Sequence, residues 1–169
     1  MRYLDGPRLA ARRLGGIRDR RPRGRCYERS RGSAVIERGT LPGLCVLIVD
    51  DNDDVRELLQ TCLEYMGAVT VPAESAGEAL FLFQRLRPHI VLTDIAMPFH
   101  DGHWLLRQLR TLERTQRTPT PVVAMTALSG PGPAGGAARG EFDGWLTKPL
   151  DLDEMAVLVE RLGHRRMAA

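Results

Sequence analysis

The hydrophobic positions of this chain change period as one reads along it. Leu44-Cys45-Val46-Leu47-Ile48-Val49 is an unbroken apolar run. This is the pattern of a parallel strand buried on both faces. It ends at Asp50-Asp51, and the next apolar residues, Val55, Leu58, Leu59, Cys62, Leu63 and Met66, repeat with helical spacing on one face until Gly67. A short strand is expected over Ala68 to Val71. Ser75-Ala76-Gly77-Glu78 then has the form of a capping box, opening a helix with Ala79, Leu80, Phe83 and Leu86 inward and Arg87-Pro88 at its close. The third strand, His89 to Thr93, leads into Asp94. After Asp101-Gly102 comes a helix carrying Leu105, Leu106, Leu109 and Leu112, and Pro121 to Thr126 forms a fourth strand. Gly144 to Thr147 forms a fifth, followed by Lys148-Pro149. Asp151 to Glu154 caps a last helix that presents Leu152, Met155, Val159 and Leu162. Five strands alternating with four clear helices predict an α/β fold with a parallel sheet.

Within this frame the polar residues gather where strands end. Asp50, Asp51, Asp94, Thr126 and Lys148 each follow an apolar run, and the carboxyl ends of parallel strands line the crevice where open α/β sheets bind ligands. Taken singly, each has a plainer reading. Asp50 and Asp51 could be a charge pair at a helix start, Asp94 a turn former before Pro98, Thr126 a strand-end hydroxyl and Lys148 a solvated surface charge. The ordered set argues for chemistry. Three converging carboxylates repel unless a cation lies among them, and an all-oxygen site suits Mg²⁺. A carboxylate there can attack a phosphoryl group to form an aspartyl phosphate, with Asp94 the best-placed candidate and Thr126 and Lys148 placed to stabilise the phosphoryl oxygens. Lys148 is also the only lysine among 24 basic residues. A compact ammonium is not interchangeable with the wide guanidinium fork.

Val49-Asp50-Asp51-Asn52, Thr93-Asp94-Ile95-Ala96-Met97-Pro98, Asp101-Gly102, Met125-Thr126-Ala127 and Leu146-Thr147-Lys148-Pro149 occur in order over residues 44 to about 163. This region resembles the receiver domain of bacterial two-component response regulators. The resemblance implies a flavodoxin-like, doubly wound sheet of five parallel strands in the order 2-1-3-4-5 with helices on both faces. It implies a phosphorelay role in which Asp94 is phosphorylated by a histidine kinase or histidine phosphotransfer protein. It further implies that Mg²⁺ is held by Asp51, Asp94 and the Ala96 carbonyl, with Asp50 acting through metal-bound water, and that the Lys148-Pro149 bond is cis. Such a domain is a phosphoacceptor that assists its own phosphotransfer and dephosphorylation, and it signals by protein contact rather than by turnover as an enzyme. Trp145 falls at the family's switch-aromatic position, where core packing is the plainer role.

One segment departs from the family. Leu128 to Gly140 is rich in glycine and proline, which oppose a helix interior, so the usual helix between strands 4 and 5 is expected to be degenerate. Output contacts are then expected on the first or last helix. This leaves two alternatives open: a degenerate receiver acting as a phosphorylation-independent binding module, and a phosphatase-like hydrolase, whose family shows spaced rather than adjacent acids.

Charge divides the chain. Residues 1–40 carry twelve arginines against four acids, a net of +8, whereas the remainder is net −5. The arginine-rich portion, including Arg20-Arg21-Pro22-Arg23-Gly24-Arg25, has too few apolar residues to offset its ordering entropy. It is expected to be a disordered tail preceding a receiver domain at 41–169, with weak nucleic-acid contact possible through phosphates. Cys26, Cys45 and Cys62 lack metal-ligand spacing and are read as structural. No apolar run approaches membrane-spanning length and no signal peptide is recognisable, so the expectation is a cytoplasmic protein; a separate expectation is that no DNA-binding domain accompanies the receiver.

Overall fold

The computed structural model describes residues 38–115, 117–127 and 141–167. Within these residues lie β1 (Cys45–Val49), α1 (Asp53–Tyr65), β2 (Val69–Ala73), α2 (Ala76–Leu86), β3 (Ile90–Asp94), α3 (Gly102–Leu112), β4 (Val122–Thr126), β5 (Gly144–Thr147) and α4 (Leu152–Met167). All four strand pairings are parallel, in the order β2-β1-β3-β4-β5. The expected flavodoxin-like doubly wound sheet is thus present. The arginine-rich residues 1–37 and the glycine-rich segment 128–140 lie outside the described residues.

Strand alternation assigns the two layers. Val46 and Ile48 of β1, Ile90 and Leu92 of β3, and Val123 and Met125 of β4 face a core closed by Leu59 and Leu63 of α1 and Met155 and Val159 of α4. Their neighbours Leu47, Val49, Val91, Val122 and Ala124 face the opposite side, where Ala79 and Phe83 of α2 and Leu105, Leu106 and Leu109 of α3 cover them. Successive strand residues point to opposite faces, so the continuous apolar runs of β1, β3 and β4 supply both cores at once.

Side chains mark the helix starts. Asn52 accepts from the Val55 amide at 3.2 Å, Ser75 from Glu78 at 3.3 Å and Asp101 from Trp104 at 2.6 Å. Each side chain satisfies a donor that the first helical turn leaves unpaired. Asp151 does the same for Asp153 and Glu154.

Two expectations are adjusted. β2 begins one residue later than expected and runs on through Pro72 to Ala73. The Val69 amide donates to Leu44 and the Ala73 carbonyl accepts from Asp50, so Pro72, between them in the alternation, turns its nitrogen away from β1. β2 is an edge strand, where a residue without an N–H interrupts no ladder. Leu58, Leu86 and Leu112, expected inward, are about half exposed. Leu58 sits on the flank of its stripe, and the other two are the last residues of their helices, with no following turn beside them. No helix among the described residues is long and apolar enough to cross a membrane.

Candidate functional site

The carboxyl ends of β1, β3, β4 and β5 bring the expected residues together. Asp50 and Asp51 follow β1, Asp94 ends β3, Thr126 ends β4 and Lys148 follows β5. Carboxylate oxygens of Asp50, Asp51 and Asp94 lie within 4.8 Å of one another; Asp50 and Asp94 are buried and Asp51 is exposed. The Lys148 ammonium lies 2.7 Å from Asp50 Oδ2 and 2.9 Å from Asp94 Oδ1. Burial works against its charge, but the hydrogen bonds and negative charges of Asp50 and Asp94 together outweigh burial and raise the Lys148 pKa above that of an ordinary lysine.

Backbone bonds hold these groups in place. The Lys148 amide donates to the Thr126 carbonyl at 2.7 Å, tying the end of β5 to that of β4, and the Lys148-Pro149 bond is cis, as the resemblance implies. Ile95 donates to the Met125 carbonyl at 3.1 Å, and Gly102 donates to the Ile95 carbonyl at 3.1 Å, drawing the start of α3 against the end of β3. Ala96 is exposed in the connecting loop. Further along that loop, Phe99 is fully exposed at a φ of 66°. Thr126 is buried, directly opposite Thr147 in the strand register.

Asp50 is held from several directions. Its amide donates to Ala73 at 3.3 Å, its Oδ1 accepts from the Asn52 amide at 3.0 Å, its Oδ2 meets Lys148, and its carbonyl accepts from Arg56 Nη1 at 2.5 Å. The sequence gives no reason to single out Arg56, one of 23 arginines.

Trp145 on β5 packs partly buried against the α2/α3 layer, edge-to-face with Phe142 at 5.1 Å. Phe142 in turn meets His103 of α3 edge-on, at the same separation. The indole Nε1 is buried without a hydrogen-bond partner among the described residues.

Residues 46–160 match the family model described as the response regulator receiver domain. The chain belongs to this family. Among curated relatives, it is 43% identical over 117 residues to the regulatory protein AtoC of Escherichia coli, which covers 69% of this chain and 24% of AtoC. It is also 38% identical over 122 residues to an uncharacterized 14.6 kDa protein of Leptolyngbya boryana, covering 72% of this chain and 92% of that protein. Among solved structures, the receiver domain of the Francisella response regulator 1452 superposes with a TM-score of 0.63 at 31% identity, over 73% of this chain and 98% of that one. A receiver domain of a signal transduction histidine kinase from Syntrophus aciditrophicus superposes at 0.62 with 29% identity, over 73% and 92% of the two chains. The receiver assignment places the chain in two-component signal transduction, and its acidic cluster has the composition of a cation site.

Proposed function

We propose that this receiver is a cytoplasmic, Mg²⁺-dependent phosphoryl acceptor in which Asp94 is the nucleophile and a histidine kinase or histidine phosphotransfer protein is the donor. The observation that carries the reading is the Lys148 ammonium shared between Asp50 and Asp94, beside a third carboxylate. One cation for three clustered acids leaves room for another, and donors that are all oxygen suit a hard divalent ion. Asp51, Asp94 and the Ala96 carbonyl would hold Mg²⁺, with Asp50 contributing through bound water. The ion, when present, neutralises charge on the phosphoryl oxygens.

The chain's own groups account for the remaining chemistry. An Asp94 carboxylate oxygen forms the new O–P bond as the P–N bond of a phosphohistidine breaks, and the departing imidazole nitrogen keeps the electron pair and takes up a proton. Lys148, already 2.9 Å from Asp94, needs only a small displacement to reach a phosphoryl oxygen on it. Such fixed, oriented charge is the main resource for phosphoryl transfer, whose demand is positioning and electrostatic stabilisation. Thr126, at the end of the neighbouring strand, would donate its hydroxyl to a second phosphoryl oxygen.

The test is the intact mass of wild type and Asp94→Ala after incubation with acetyl phosphate, with and without Mg²⁺. The expected outcome is a gain of one phosphoryl group that requires both Asp94 and the metal. No gain under any condition would instead make the domain a phosphorylation-independent binding module.

A further inference from the structure

Arg56 stands outside every motif that marks this site, yet it holds the backbone from which two of the three acids project. We infer that Arg56 is a positioning residue for the cation site: by fixing the Asp50–Asp51 peptide plane, it sets the direction in which the Asp51 carboxylate enters the cluster. The inference rests on the proposed Mg²⁺-dependent acceptor and deepens it.

Asp51 is exposed, so the packing that fixes Asp50 and Asp94 does not fix Asp51. Its direction depends on the peptide units on either side. On the following side, the Asn52 amide donates to Asp50 Oδ1 at 3.0 Å. On the preceding side, the Asp50 carbonyl accepts from Arg56 Nη1 at 2.5 Å. That carbonyl belongs to the peptide leading into Asp51, and without its bond to Arg56 the plane could turn and swing the carboxylate away. The guanidinium is itself held. Its Nη2 pairs with Asp53 in the first turn of α1, and its side chain is only 13% exposed. A planar fork with two donors in fixed geometry can bridge a carbonyl and a carboxylate at once, whereas an ammonium on a flexible stem places one point charge.

A nearby cation has a second, opposite effect, which makes the inference sharp. By Coulomb's law, a positive charge beside the backbone that carries Asp50 and Asp51 competes with Mg²⁺, so deleting it should tighten metal binding if charge were all it contributed. Positioning predicts the reverse. Groups that orient metal ligands from outside the coordination sphere change metal affinity by about 10- to 100-fold when removed.

The experiment is a calorimetric titration of the full chain with MgCl₂ at fixed ionic strength, repeated with MnCl₂ by electron paramagnetic resonance of the free ion. Wild type, Arg56→Met and Arg56→Lys are compared. Arg56→Met is expected to bind Mg²⁺ about tenfold more weakly. Arg56→Lys, which keeps the competing charge and loses the fork, should also weaken binding. Unchanged or tighter binding in Arg56→Met, or wild-type affinity in Arg56→Lys, would overturn the inference. If circular dichroism shows that Arg56→Met does not fold, the charge-preserving Arg56→Lys decides alone. Labelling by acetyl phosphate separates the two readings. A wild type that binds Mg²⁺ without being labelled removes the acceptor function and leaves Arg56 to stand on the affinities, whereas a wild type that binds no Mg²⁺ removes both.

Discussion

Lys148 carries two obligations that a single substitution can separate. It neutralises two buried carboxylates in the resting domain, at 2.7 and 2.9 Å, and it is the proposed partner of the phosphoryl group on Asp94. Removing one partner of a buried ion pair leaves the other uncompensated, which costs about 3–5 kcal/mol when both are fully enclosed. The Lys148 side chain retains 22% exposure, so Lys148→Met should cost less, roughly 2–3 kcal/mol, in urea unfolding without divalent ions. Added Mg²⁺ should restore part of the loss, because it supplies the missing positive charge to Asp50 and Asp94. The pH dependence follows from the raised pKa of Lys148. A group that holds its proton more tightly when folded contributes stability that is complete below its unfolded pKa, about 10.4, and fades as the pH rises through the higher folded value. Thermal melts between about pH 9 and 12 should show a larger alkaline loss in wild type than in Lys148→Met, where the partly buried thiols of Cys45 and Cys62 still contribute theirs. A Lys148→Met profile parallel to wild type would mean that the charge is not what couples these groups. Lys148 was conspicuous in the sequence because it is the single lysine after an apolar run. Arg56 was not, since nothing in residue type separates a guanidinium that bridges to the Asp50 carbonyl from the many that face solvent.

The elements were legible where period and burial agree. β1, β3 and β4 read directly as unbroken apolar runs because both their faces are covered, and the caps Ser75 and Asp151 act where their residue types suggest. The sequence suggests a shorter β2 than the fold contains because Pro72 looks like a terminator until the strand is known to lie at the edge. Asp101-Gly102 stands out in the sequence just before a helix, but residue type does not show what the glycine is for. A Cβ at Gly102 would sit 2.5 Å from the Asp94 carbonyl oxygen and 3.1 Å from Ile95 Cα, both backbone atoms that cannot move without moving the end of β3. The start of α3 is pressed directly against the residue proposed as nucleophile. Gly102→Ala is therefore expected to displace Asp94 and to slow acetyl phosphate labelling more than it lowers the melting temperature. Labelling at the wild-type rate would show that the β3–α3 junction yields without disturbing Asp94.

Across the whole molecule, the two ends of the sheet carry different loads. The carboxyl end gathers the acids and Lys148, and the opposite end holds a second polar network centred on Glu113, which caps α3 and is almost fully buried. The Glu113 carboxylate accepts from the Thr120 amide through both oxygens, at 3.0 and 3.1 Å, and from the Thr120 hydroxyl at 2.7 Å. Arg110 adds a bond to the Thr120 carbonyl and a 2.7 Å ion pair with Asp143, whose carboxylate also accepts from the Val122 amide. Arg166 reaches in from the last turn of α4, pairing with Glu113 and donating to the Thr118 carbonyl. The network thus joins α3, the approach to β4, the approach to β5 and α4 at the strand amino ends, where none of the proposed site residues lies. Its sequence signature is absent because the partners are scattered from residue 110 to 166 and meet only once the sheet has formed. Hydrogen bonds to a charged group contribute about 1.5–3 kcal/mol each, and a same-shaped neutral side chain keeps some of them. Glu113→Gln should therefore lower the urea midpoint by the equivalent of about 1–3 kcal/mol with an unchanged slope, since the surface exposed on unfolding is the same. Mg²⁺ affinity should stay at the wild-type value. Residues with no shared partners behave additively, so a fall in Mg²⁺ affinity in Glu113→Gln would mean that the sheet transmits strain from its amino ends to the acidic site, and that the two ends form one cooperative unit rather than a frame and a site built upon it.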